Sequence, residues 1–147
     1  MLGRKTYTQD EVDRARSVVE DQLAAYRDLV QAAGTATGRP DAAAVREAFE
    51  RCFFTNLTVL LDRFFVHRIR PVTGKDGNPL NEVELIVESV IEHGGVMRGN
   101  KVIKYVPADS VLGLEDGAPI RLTADDFDRL STAFLAELER RFVLADG

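Results

Sequence analysis

The residues best suited to chemistry crowd into one stretch. From Arg63 to Lys75 the chain carries Arg63, His67, Arg68, Arg70 and Lys75 with no acid between them. The stretch then runs through Gly74-Lys75-Asp76-Gly77 to Asn78 and Asn81. A glycine-containing loop that leads into a helix N-terminus offers free backbone N–H groups to an anion. Arginine adds a planar fork that matches phosphate or carboxylate at two points. These types and spacings describe an anion pocket built by Arg68, Arg70, Lys75 and the amides near Asn78, with His67 and Asn81 as polar neighbours. A structural reading uses the same residues. Cations in the last turn of a helix complement its dipole, and the arginines can pair with Glu82, Glu84 or the acidic tail. The sequence leaves both open.

Other chemistries find little support. The loop lacks the G-x-x-x-x-G-K-[ST] spacing of a nucleotide-hydrolase phosphate loop. His67 extends an apolar line by one turn, which suits a half-buried, hydrogen-bonded histidine. His93 falls in the last turn of a helix, and the two histidines share no metal-ligand spacing. Adjacent Glu92 and His93 would diverge on a helix. No serine sits in G-x-S-x-G, and Cys52 has no flanking motif that would lower its pKa, so it reads as a small core residue. Asn56 interrupts an apolar helical face, where a buried amide can fix register or association state. No catalytic residue, metal or cofactor is assigned.

These residues must be held by helices. Thr8 and Glu11 form a capping box for a first helix, and Val12, Ala15, Val19, Leu23, Tyr26, Val30 and Ala33 give its apolar face. That face suits either the second helix of the same chain or a partner helix, so a homodimer is one expectation. Gly34 and Gly38-Arg39-Pro40 end it. Asp41 caps a second helix that can run to about Arg70, roughly 45 Å, before Pro71 stops it. Five of the eight phenylalanines fall here, on more than one face, so this long helix is expected to be central and buried on several sides. Asn78 and Pro79 open a third helix with Leu80, Val83, Val87 and Val90 inward and Gly94-Gly95 as its stop. Lys101–Val106 and Pro119–Leu122 read as short strands joined through Glu115-Asp116-Gly117. Thr123 caps the last helix, whose core face is Phe127, Leu130, Phe134, Leu138 and Phe142.

The expected fold is therefore mainly α. It is a single domain over residues 1–147: about four helices, with a long central apolar helix and a small β-hairpin or irregular flap before the last one. Residues 1–7 and 144–147 are expected to be flexible. With 147 residues, 45% hydrophobic and 29% charged, the chain is an ordinary globular one, long enough for a core without staples. Nineteen basic and 24 acidic residues give a net charge of −5, which speaks against general nucleic-acid binding. Most of that deficit lies in residues 106–147, with four basic and nine acidic side chains. One cysteine, no secretory pattern and no long apolar run lead to a cytoplasmic protein without membrane contact. Two functions remain: contacts with other proteins or with a second copy, without catalysis, or binding, or enzymatic turnover, of a small anionic molecule at residues 67–81.

Overall fold

The computed structural model describes residues 3–33 and 40–145. Helix α1 spans Gln9–Ala33, α2 Ala42–Phe64, the short α3 Arg70–Thr73, α4 Pro79–Glu92 and α5 Ala124–Phe142, with one 3-10 turn at Pro107–Asp109. The fold is mainly helical. Glycines 34 and 38 lie outside the described residues, and α1 extends at least to Ala33.

Local signals start three of these helices where the sequence places them. The Thr8 hydroxyl accepts from the Glu11 N–H, and the Glu11 carboxylate accepts from the Thr8 N–H. Asn78 accepts from the N–H groups of Leu80 and Asn81, with Pro79 at the first helical position. Thr123 and Asp126 close a reciprocal capping box on α5. Each cap meets amides that would otherwise lack partners. At the far end of α4, Gly94 and Gly95 take φ of 64° and 80°, a conformation open to glycine.

The core gathers on α4 and α5. Helix α5 packs on α1, α2, α3 and α4, and its Phe127, Leu130, Phe134, Leu138 and Phe142 are all fully buried. Helix α4 is buried on most sides, through Leu80, Val83, Leu85, Ile86 and Val87. The second helix is therefore not the centre expected from its phenylalanines. It buries Phe54, Leu57, Thr58 and Leu61 and leaves its opposite face open.

That helix is also shorter than expected. It ends at Phe64, and Arg68 supplies the reason. The Arg68 guanidinium donates to the carbonyl of Phe65 at 2.9 Å and to the Asp62 carboxylate at 2.8 Å. The cation thus satisfies an orphan carbonyl and sits at the negative end of the helix dipole. The N-terminal segment then takes the next residues. The Arg4 N–H donates to the His67 carbonyl at 2.6 Å, and the Ile69 N–H to the Arg4 carbonyl at 3.3 Å. Tyr7 is buried edge-on against Phe65, with ring centroids 5.0 Å apart. Of residues 3–7, Tyr7 is buried and Arg4 half-buried, while Gly3, Lys5 and Thr6 are exposed. Leu144 and Ala145 are exposed.

The expected hairpin does not form. Among the described residues there are isolated bridges and no strand. Residues 95–97 lie against 117–120 instead, with Met97 N–H on the Ala118 carbonyl at 2.8 Å and Ile120 N–H on Gly95 at 2.8 Å. Lys104 pairs with Lys75, its N–H 2.7 Å from that carbonyl. The Asn100 side chain accepts from the amides of Val102 and Ile103 and bends the first candidate strand into a turn.

Candidate functional site

The structure brings residues 67–81 together as a knot at the α2–α4 junction, and most of its polar groups face one another. Arg70 donates to Glu84 at 2.6 Å, to the Asn81 side-chain oxygen at 2.9 Å and to the Gly74 carbonyl at 3.2 Å. Asn81, fully buried, returns its amide to the carbonyls of Asp76 and Gly74 at 2.7 and 3.1 Å. Asn78 ties its amide to the Thr73 carbonyl at 2.8 Å and to Asp76 at 2.9 Å while capping α4. Arg68 is committed to the end of α2, its side chain only 5% exposed. From α5, Arg141 reaches the carbonyls of Val72 and Thr73 at 3.1 and 3.2 Å. His67 is half-buried, and its backbone carbonyl holds Arg4. Lys75 is exposed, and only its backbone carbonyl, which accepts from Lys104, is engaged in a hydrogen bond among the described residues. An anion at this loop would compete with Asp62, Glu84 and several backbone carbonyls for the arginines. The sequence signal was local; the partners that use up these donors lie 3 to 69 residues away.

Beside the knot lies a cleft of about 290 Å³, lined by Asp76, Asn78, Glu82, Lys104, Asp109 and neighbouring apolar residues. Glu82 is fully buried, and its two oxygens accept from the amides of Val111 and Leu112 at 2.8 and 3.0 Å. Burial pushes its carboxyl above the ordinary value, and the two amides pull the other way. Glu82 thereby fastens the 107–113 loop to α4. The sequence reading had it only as an ion-pair partner for the arginines.

At the exposed end of α4, Glu88, Glu92 and His93 bring one donor atom each within 4.8 Å of the others. Adjacent Glu92 and His93 meet because His93 leaves helical geometry at φ −123°. Glu88 also accepts from Asn100 at 3.1 Å. Clusters of exposed acidic groups are common without an ion, and no metal role is assigned.

The feature that sequence reasoning missed is the outer side of α2. Phe49, Leu60 and Phe64 are 47%, 39% and 37% exposed, and Val45 is 49% exposed. At 100° per residue these four project within an arc of roughly 100°. Cys52 and Asn56 fall between them along the helix, and both are exposed, where a core thiol and a buried amide were expected. At one end Phe49 and Phe53 stack on Tyr26 of α1, with centroids 6.1 and 6.0 Å away. The phenylalanine count signalled burial; only neighbours that the sequence does not display decide which face is covered. No helix among the described residues is long and apolar enough to cross a membrane. Compared with known proteins, the chain matches no family model, no curated protein and no solved structure.

Proposed function

We propose that this protein acts through contacts with other protein surfaces, without catalysis, and that the outer face of α2 is the contact surface. The observation that carries this reading is the exposed row Val45, Phe49, Leu60 and Phe64 along a 23-residue helix. Scattered exposed apolar residues need no explanation, but Val45 with Phe49 and Leu60 with Phe64, two exposed apolar pairs aligned on one helix face, mark a docking surface.

Side-chain footprinting tests it. Phe49, Leu60 and Phe64 should be protected in extract of the producing cells relative to the purified chain, while Ile91 and Leu144, exposed elsewhere, stay unchanged. Equal modification in both samples would refute the reading. The other function open to the chain is binding of a small anion at His67, Arg68, Arg70, Lys75, Asn78 and Asn81. Inorganic phosphate is expected to leave the melting temperature unmoved, because Arg68 and Arg70 already hold carboxylates. A rise of several degrees that Arg70→Ala abolishes would put the anion reading first.

A further inference from the structure

Given that α2 presents a docking face, we infer that its occupant is an acidic amphipathic helix of another protein rather than a second copy of this chain. The inference rests on the charges around the apolar row. Among α2 positions, Arg46 and Arg63 project on the two flanks of the row, each roughly 50° from its midline. The helix's own acids, Glu47, Glu50 and Asp62, project at roughly 90° or more from that line. Both arginines are exposed, and neither has an ion-pair partner among the described residues. Arg16 and Arg27 on α1, by contrast, hold Glu139 and Asp128 at 2.5 and 3.0 Å. The face is therefore apolar toward both ends, polar at Asn56 between them and positive at each end, with no α2 carboxylate within it.

A second copy fits that pattern poorly. The antiparallel register that levels Phe49 with Leu60 of the other copy also levels Arg46 with Arg63. Because the two arginines project on opposite flanks, each end of the interface would then hold two guanidiniums across the seam from each other and no α2 carboxylate to pair with either, so a second copy leaves all four cations unmatched. A helix whose apolar stripe runs the roughly 28 Å from Val45 to Phe64 and which is acidic toward both ends fits the row and both cations. Arg46 and Arg63 are seventeen residues apart, about 25 Å along the axis, so the matching helix needs about twenty residues. Asn56, exposed midway, gives such a helix a polar group that fixes its register.

The test uses the full chain and two synthetic helices of about twenty residues, with the same leucine stripe and either glutamate or lysine flanks. Fluorescence anisotropy should show the glutamate helix binding at least tenfold tighter than the lysine helix, with the difference shrinking at high salt. The double variant Arg46→Glu/Arg63→Glu, both sites exposed, should reverse the preference while its melting curve stays close to the parent's. Equal binding of the two helices, or no binding of either, overturns the inference. A purified chain that sediments as a dimer and becomes monomeric on Leu60→Glu also overturns it. That result makes the occupant a second copy and leaves the docking face standing. If neither helix binds and the footprints in extract and buffer agree, the docking face fails with it.

Discussion

Arg68 and Asp62 show how single side chains fix this fold. With 5% and 18% side-chain exposure, the pair closes α2 and holds the chain where it turns toward the N-terminal segment. Arg68→Ala would leave the Asp62 carboxylate and the Phe65 carbonyl without their donor. Removing one partner of a mostly buried pair costs about 3 kcal/mol, and urea unfolding should show a loss of that size. Glu82→Ala strands the amides of Val111 and Leu112, and amide exchange there should accelerate well before exchange in α5 does. Glu11 offers a pH test. Its hydrogen-bonded pairing with Arg4 lowers its carboxyl from 4.5 to about 2. A lowered folded-state pKa stabilises above the unfolded value, and that contribution disappears as pH falls from about 4.5 through about 2. The pair is partly exposed, so Arg4→Ala should cost about 0.5–1 kcal/mol at pH 7 and almost nothing near pH 2. Asn78 was legible as a cap because its partners are two and three residues away. The pairing of Arg70 with Glu84 was one of the two readings the sequence offered, whereas the role of Asn81 was hidden because its carbonyl partners lie across the knot.

At the scale of elements, starts were easier to read than ends. Helix α4 begins at Pro79 because Asn78 and Pro79 carry the instruction locally. Helix α2 stops at Phe64, six residues before Arg70, where the Arg68 side chain satisfies the Phe65 carbonyl and, just beyond, Arg4 takes that of His67. The β-like composition of residues 101–106 gave way to the Asn100 turn and to pairing with Lys75. Helix α2 itself has two unlike faces. Phe54→Ala, at 0% exposure, should cost about 3–5 kcal/mol. Phe49→Ala, at 47% exposure, should cost less than half as much, although it loses its stacking on Tyr26. Chemical denaturation of the two variants checks the contrast. Near-equal losses would mean that the outer face is covered within the chain.

For the whole molecule, the mainly helical class and the inward faces of α1, α4 and α5 followed from three-four spacing alone, since Val12, Leu23, Leu80, Phe127 and Phe142 are all buried. Placement of the open face did not, because it depends on how five helices share one core. The net charge of −5 likewise hides a local fact: the most exposed apolar helix face carries arginines at its ends and no acid along it. Cys52 is exposed beside that face, roughly 70° from its midline, as a built-in reporter. The most direct measurement is its rate of reaction with a cell-permeant maleimide, compared between living cells and the purified chain. The docking account predicts several-fold slower labelling in cells, with protection lost in Leu60→Glu. Equal rates in cells and in buffer would contradict it.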